Sequence, residues 1–273
     1  MSFQKPVPSV VYDPAHPLGT NPGVIVGLIT GSGVPTDDVT KTVGAYTLTN
    51  GGTTEPTWGV DAGGHMALNF LSNTTNQGTE KQLHFDGKGM LASEAASGVT
   101  MFAVFAPLPN PVSQSVPISI RTNKLGISVT NDYKMAVYIG ASSFTTATPI
   151  PLTSNGNVWA LIITFTSASV ANLYAKNLTT EGTPAFSTIT FGDTLAGYLQ
   201  ESLPAPAIVN ERNSGGWGMK GRLYMAGYAK EIWDSIKIEA FYADPWAAIR
   251  AAVAAGAGGI VPMIGSPFIR GTF

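Results

Sequence analysis

Short runs of β-branched and aromatic residues alternate with glycine, asparagine, serine and proline from about residue 23 onward. This pattern is typical of many short β-strands separated by turns. The spacing of the runs predicts an all-β fold, a two-layer antiparallel β-sandwich. The predicted strands are 23–30, 43–49, 65–70, 81–85, 99–106, 116–121, 125–130, 134–140, 158–166, 169–176, 186–191 and 220–229.

Three of these strands also indicate their place in a sheet. The runs 99–106 and 158–166 are apolar on both faces, so we expect them in mid-sheet with both faces covered. In 220–229, Tyr224 and Tyr228 alternate with small and apolar residues. We therefore expect that strand to be half-exposed, with the two tyrosines on its outer face.

Helical signals occur only near the C-terminus. Apolar residues recur at helical spacing in 230–242, and the helix must end before Pro245. Residues 247–255 have the propensity for a second short helix. The apolar face of the first helix is predicted to consist of Ile232, Trp233, Ile236 and Ala240.

The two ends of the chain differ from its middle. Five prolines in residues 3–22 leave room for only a short strand near 9–12, so we expect an extended arm. The C-terminal tail carries apolar side chains suited to a subunit interface: Ile260, Val261, Met263, Phe268 and Phe273. The predicted organisation is an N-terminal arm over 1–22, a sandwich over 23–246, and a short helix with an extended apolar tail over 247–273.

Composition excludes several functions. Of the 273 residues, 12% are charged, the net charge is −2, and cysteine is absent. The absence of cysteine excludes disulfides, thiolate chemistry and Cys-ligated metals. Because no basic cluster is present, we expect neither a nucleic-acid partner nor an anionic membrane surface. We also expect no signal peptide and no membrane span, since no apolar run has the required length and flanks.

The few charges are unevenly distributed. Residues 95–120, 135–175 and 251–269 contain no Asp, Glu, Lys or Arg. Side chains with hydroxyls, amides and small apolar groups cost less to desolvate than Lys or Glu. Interfaces between proteins are depleted in Lys and Glu. This distribution favours a homo-oligomer or a subunit of a larger assembly. A neutral, hydroxyl-rich β protein that works alone is the alternative.

Four segments, in order along the chain, resemble a known family. They are 56–70 (PTW followed by GGHMALNF), 99–106 (VTMFAVFA), 157–174 (NVWALIITF followed by VANLY) and 219–246 (MKGRLY, a helix, then YADPW). Together they are similar to the concanavalin A-like, laminin-G-like domains of bacteriophage and prophage structural proteins. The resemblance implies a jelly-roll sandwich located in the virion, as a head decoration, head fibre or tail component, with other virion proteins as partners.

The sequence gives little support for catalysis or for a metal. Retaining glycosidases of this fold class usually place their two carboxylates on one strand as E-x-D-x-E, and this chain has no such motif. We interpret Glu231 and Asp234 as a solvated helix face and Asp37–Asp38 as a turn. The histidines are scattered at His16, His65 and His84, without the spacing of metal ligands. We therefore predict that the chain is not an enzyme and has no cofactor or metal.

One loop is suited to sugar binding. Trp217 follows a glycine-rich turn, and polar residues lie just before it. An exposed indole offers an apolar face to a sugar ring, and neighbouring amides and charges bind its hydroxyls. The alternative is that Trp217 folds back and covers one end of the sandwich. The residues of this candidate glycan-binding loop are Asn210, Arg212, Asn213 and Trp217. The first function predicted is a non-enzymatic virion structural protein that assembles through its sandwich surface and terminal arms. The alternative is a carbohydrate-binding module that recognises a host-surface glycan as part of a phage fibre.

Overall fold

Every structural statement below refers to the residues that the computed structural model of this chain describes. These are 10–12, 15–17, 25–30, 47–48, 56–61, 66–70, 82–85, 89–107, 115–121, 125–139, 142–144, 150–152, 156–166, 168–199, 207–209 and 221–251.

The described residues form eighteen strands and two α-helices. The strands are β1 (Val10–Tyr12), β2 (Ile25–Thr30), β3 (Thr47–Leu48), β4 (Thr57–Val60), β5 (Met66–Phe70), β6 (Leu83–Phe85), β7 (Val99–Pro107), β8 (Ser115–Arg121), β9 (Leu125–Val129), β10 (Lys134–Ile139), β11 (Ser142–Phe144), β12 (Ile150–Pro151), β13 (Trp159–Phe165), β14 (Val170–Asn177), β15 (Ala185–Thr190), β16 (Ala207–Val209), β17 (Gly221–Ala229) and β18 (Ile249–Ala251). The helices are α1 (Leu195–Leu199) and α2 (Ser235–Ala243), with 3-10 turns at Ala92–Ser97 and Pro245–Ala248.

Two eight-stranded sheets make up the sandwich. The first has the order β15-β14-β13-β7-β17-β5-β4, with β2 also paired to β17. The second has the order β11-β10-β9-β8-β16-β6-β3, with β12 also paired to β10. The pairs in both sheets are antiparallel. The predicted all-β, two-layer antiparallel sandwich is therefore confirmed.

The two apolar strands lie side by side in the middle of the first sheet. Every residue of β7 and β13 is buried, as predicted from their sequence. The ring of Phe102 faces α2, so the alternate residues Met101, Ala103 and Phe105 face the second sheet. Burial inside the sandwich thus accounts for the missing charges in these strands, and this part of the charge deficit gives no support to assembly.

The tyrosines of β17 correct one prediction. Tyr224 and Tyr228 are 1% and 0% exposed, whereas Arg222 is exposed. The strand lies between β7 on one side and β5 and β2 on the other, and every residue of it except Arg222 is buried. Tyr224 occupies an irregularity in the pairing with β7, and the ring of Trp246 stands perpendicular to its ring at 6.2 Å. Strand β17 is therefore a central strand.

Helix α2 begins later than its apolar spacing predicts. Asp234 is the N-cap, and its side chain accepts a hydrogen bond from the backbone N of Lys237 at 2.9 Å. The helix consequently buries Ile238, Phe241 and Tyr242, while Ile232 and Ile236 are 44% and 67% exposed. The predicted face was wrong for Ile232 and Ile236, whereas Trp233 is buried as predicted. Ile232 and Trp233 precede the helix and do not share its periodicity.

The segment after α2 also differs from the prediction. Asp244 ends the helix before Pro245, as expected. Where a second helix is predicted for 247–255, the described residues up to 251 form a 3-10 turn, Pro245–Ala248, and β18, and residues 252–255 lie outside the described ones. Strand β18 pairs with β1 in an antiparallel two-stranded ribbon, in which Val10 lies opposite Ala251. Backbone pairing with the N-terminal strand replaces the helical hydrogen bonds for which the alanines have the propensity.

Thr100 connects the first sheet to the chain that leads into α2. Its hydroxyl, on the buried strand β7, donates to the backbone carbonyl of Glu231 at 2.8 Å and accepts from the backbone N of Trp233 at 2.9 Å. The Trp233 ring stacks on Phe102 at 4.9 Å between centroids. Ion pairs of Lys230 with Glu94 and of Lys237 with Glu231 flank the same connection.

Replacing Thr100 by valine keeps the side-chain shape but leaves two buried backbone groups without their partner. We expect Thr100→Val to lower the free energy of unfolding by about 2–3 kcal/mol. Thr100→Ser retains the hydroxyl and is the matched control, with an expected loss of about 1 kcal/mol from the missing methyl group. Denaturant titration measures both. Equal stability of the two variants would show that the hydroxyl does not hold α2 to the sheet.

Candidate functional site

The two groups of functional residues predicted from the sequence lie outside the described residues. They are the loop residues Asn210, Arg212, Asn213 and Trp217 and the tail residues Ile260, Val261, Met263, Phe268 and Phe273. Asp37, Asp38 and His65 also lie outside them. These assignments remain predictions.

The other candidate acidic and histidine residues lie in separate places. Glu231 and Asp234 both precede α2, so they do not form the solvated helix face that the sequence predicts: Glu231 is half-buried and pairs with Lys237, and Asp234 is the N-cap of the helix. The His84 ring nitrogen Nε2 lies 3.4 Å from Oε1 of Gln82. Among the described residues, no three His, Asp or Glu side chains are grouped as a metal site requires.

A different surface combines aromatic and hydrogen-bonding side chains. We define the outer-edge patch as Asn172, Tyr174 and Lys176 of β14 together with Phe186 and Thr188 of β15. In the pairing of these two strands, Tyr174 lies opposite Phe186 and Asn172 lies opposite Thr188. The period of two places all five side chains on one face of the sheet. Tyr174 is also in register with Ile162 and through it with Phe102, so this is the face that carries α2.

The patch offers an aromatic surface beside polar groups. The rings of Tyr174 and Phe186 are 5.1 Å apart between centroids and tilted by 51°, and Phe186 is 58% exposed. The Thr188 hydroxyl donates to Oδ1 of Asn172 at 3.0 Å, which fixes the orientation of the amide and turns its nitrogen away from Thr188. The patch therefore presents an apolar ring and an oriented amide on one exposed strand pair.

Lys176 links the patch to α2. Its Nζ lies 3.5 Å from the backbone oxygen of Tyr242, to which it donates, and 5.8 Å from the centroid of the Tyr242 ring. Tyr242 is 2% exposed, and its hydroxyl has no hydrogen-bond partner among the described residues. Burial, and secondarily the charges of Glu239 and Tyr174, hold the pKa of Tyr242 well above its usual value. Tyr242 therefore forms the inner wall of the patch, on the side of α2, and its side chain is a neutral phenol.

The arrangement suits ligands that combine a flat apolar face with hydroxyl groups. An exposed ring packs on the C–H face of a sugar, and the amide of Asn172, the Thr188 hydroxyl and the Lys176 ammonium can bind sugar oxygens. Sequence reasoning missed this site because a turn separates its two strands. The signal was the alternation of Asn172, Tyr174 and Lys176 with buried residues along β14.

Comparisons with known proteins show similarity of fold. No protein-family model matches the chain, and no curated protein sequence matches it. Among solved structures, it is similar to full-length tailspike protein 2 of the Escherichia coli O157:H7 bacteriophage CAB120, with 15% identity, a TM-score of 0.50, and coverage of 73% of this chain and 28% of the tailspike.

Two further similar structures come from glycosidases. A mutant sialidase of Trypanosoma rangeli has 13% identity and a TM-score of 0.48, and the match covers 83% of this chain and 35% of the sialidase. Domain 4 of an extracellular arabinanase from Geobacillus stearothermophilus, in complex with arabinotriose, has 14% identity and a TM-score of 0.49. The match covers 73% of this chain and 90% of the arabinanase domain. The chain thus spans about a third of the tailspike and of the sialidase.

These comparisons contradict the prediction that the chain is not an enzyme. Most of the similar structures come from glycosidases, including two arabinofuranosidases. The missing E-x-D-x-E motif excludes one way of placing two carboxylates on a strand and does not exclude an enzyme. At 15% identity or less, these similarities concern the fold and assign no activity to this chain.

The described part of the chain contains no helix long and apolar enough to cross a membrane.

Three buried tyrosines make the fold sensitive to high pH. Burial raises the pKa of Tyr224, Tyr228 and Tyr242 above the usual value near 10, with Asp61, Glu94 and Glu239 as secondary causes respectively. A group whose folded pKa is raised contributes its full stability below the unfolded pKa and loses it as pH rises further.

We therefore expect the free energy of unfolding to fall above about pH 10. Replacing Tyr242 by phenylalanine removes one ionisable group whose hydroxyl has no partner among the described residues, so Tyr242→Phe should keep the stability at neutral pH and weaken the alkaline loss. Denaturant titrations at several pH values measure this, with tyrosinate absorbance as the readout of ionisation. An unchanged alkaline slope would contradict the prediction.

Proposed function

We propose that the chain is a bacteriophage virion protein, of the tail or a fibre, that assembles with other virion subunits through its two terminal segments. The ribbon of β1 and β18 carries this proposal. Its antiparallel register puts Val10 beside Ala251, so the first residue of β1 and the last residue of β18 lie at the same end of the ribbon. A neighbouring subunit placed at that end would meet both segments at once.

Other observations support the same proposal. A two-stranded ribbon is marginally stable on its own, so contact with another subunit would stabilise it. The tail that follows contains no charge between Arg250 and Arg270, and its apolar residues are those named above. The resemblance to phage structural proteins and the fold shared with a phage tailspike agree with a virion location.

The test is a pair of substitutions in the tail of the full chain. We expect Val261→Asp together with Phe268→Asp to lower incorporation into phage particles at least tenfold, because two charges would have to be desolvated at the interface. Ile236→Asp, on the exposed side of α2, is the matched control and should be incorporated normally. In a reconstructed map of the intact particle, residues 252–273 should contact another chain. A particle that lacks this chain, or normal incorporation of the tail variant, would contradict the proposal.

A second candidate function is carbohydrate binding, and the outer-edge patch favours it. An exposed phenylalanine beside a tyrosine, with an oriented amide and a lysine, provides stacking and hydrogen bonds together. Recognition of a host-surface glycan is compatible with a place in the tail or a fibre. The loop around Trp217, predicted from the sequence, is a separate candidate for the same ligand class.

Glycan arrays and calorimetry test this second function. We expect Phe186→Ala to weaken binding of a recognised polysaccharide about tenfold or more, since loss of one stacked aromatic residue removes over 1 kcal/mol. Ile236→Ala removes an equally exposed apolar side chain outside the patch and should bind normally. Trp217→Ala shows whether the loop contributes. Loss of affinity in Trp217→Ala alone would place the site in the loop. After incubation with the protein, an intact polysaccharide would indicate a binding module, and a cleaved polysaccharide would indicate a glycosidase.

A further inference from the structure

Strand β15 is the last strand of the first sheet. It pairs with β14 on one side, and no described strand pairs with its other side. Its six residues, Ala185–Thr190, include no charged residue and no proline. Natural proteins usually protect such an edge with lysine, proline, a bulge or a covering loop, because an unprotected edge pairs with other strands.

The open side of β15 can be assigned residue by residue. Just beyond the strand, the backbone N of Phe191 donates to the carbonyl of Ser169 at 2.8 Å, so residues 169 and 191 form a hydrogen-bonded pair. Hydrogen-bonded pairs alternate along an antiparallel ladder, so the backbones of 185, 187 and 189 bond to β14. The N–H and C=O groups of Phe186, Thr188 and Thr190 therefore point away from the sheet. The same three residues have exposed side chains.

We propose that β15 pairs with the β15 strand of a second copy of this chain, antiparallel and about a two-fold axis. A two-fold axis through Thr188 would set Thr188 opposite its own equivalent and Phe186 opposite Thr190 of the second copy. The backbone N–H groups of one edge then lie opposite the C=O groups of the other. Neither strand carries a charged residue that would repel its partner. The first sheets of the two copies become one continuous sheet.

A second copy fits this edge better than an unrelated strand does, because one sequence supplies both sides and the contact closes on itself. The pairing would place the two outer-edge patches on the same face of the continuous sheet.

This pairing adds a contact within the proposed assembly and does not rest on that assembly, since no residue of the terminal segments takes part. Five residues of each β15, 186–190, would pair. They bury less than the roughly 1,600 Å² of a standard interface, so we expect a weak, concentration-dependent dimer.

Charge substitutions at Thr188 test the inference in the full chain. We expect the wild-type protein to show a concentration-dependent dimer by light scattering and sedimentation. Thr188→Lys places two like charges at the two-fold axis and should weaken dimerisation at least tenfold, and Thr188→Glu should do the same. An equimolar mixture of the two variants should restore the dimer, because opposite charges then face each other. Thr188→Val, which also loses the bond to Asn172, is the matched control and should dimerise as the wild type does.

The outcomes separate this inference from the proposed function. The same measurements on the tail variant Val261→Asp with Phe268→Asp should show an unchanged dimer, whether or not that variant enters particles. Thr188 is an exposed position, and thermal unfolding shows that each variant is folded. A wild-type protein that stays monomeric, a Thr188→Lys variant that dimerises normally, or a mixture that fails to restore the dimer would each overturn the inference.

Discussion

The sandwich depends on one constraint, the need to cover both faces of the adjacent strands β7 and β13. Their side chains are apolar in both directions, so water must be excluded above and below the sheet. The second sheet covers one face. The other face is covered by α2 and the segment before it, with Trp233 stacked on Phe102 and anchored through Thr100. The position of α2, and with it the inner wall formed by Tyr242, follows from this requirement.

The sequence predicts most of this architecture because a buried strand has a strong signature. All twelve predicted strands are present, and where the structure describes the residues at their ends, these ends differ from the prediction by two residues at most. Strands such as β11, β12 and β16 were not predicted, since two or three residues carry no usable periodicity. The errors at α2 and β17 have another origin. A capping aspartate set the start of the helix, and neighbouring strands buried two tyrosines whose polar hydroxyls suggested exposure.

Functional residues were harder to predict than strands. Tyr174 and Phe186 become neighbours only through the pairing of β14 with β15, which no linear motif encodes. The enzyme prediction shows a related weakness, since it relied on the absence of a carboxylate motif and of metal-ligand spacing. A fold that displays carboxylates from many loops and strands can place a catalytic pair in arrangements that a short pattern does not describe. Charge depletion was also ambiguous, because a strand buried on both faces lacks charges for the same reason as an interface does.

The ribbon of β1 and β18 has a consequence for how such a module can be combined with others. Because the first and last described strands are hydrogen-bonded neighbours, the two ends of the described chain lie side by side. A unit with adjacent ends can be inserted into a surface loop of an unrelated protein, with little disturbance of either fold. Recombination between genes could therefore transfer this sandwich as one unit. The domains beside it in a longer polypeptide could then change while its hydrophobic core stayed the same.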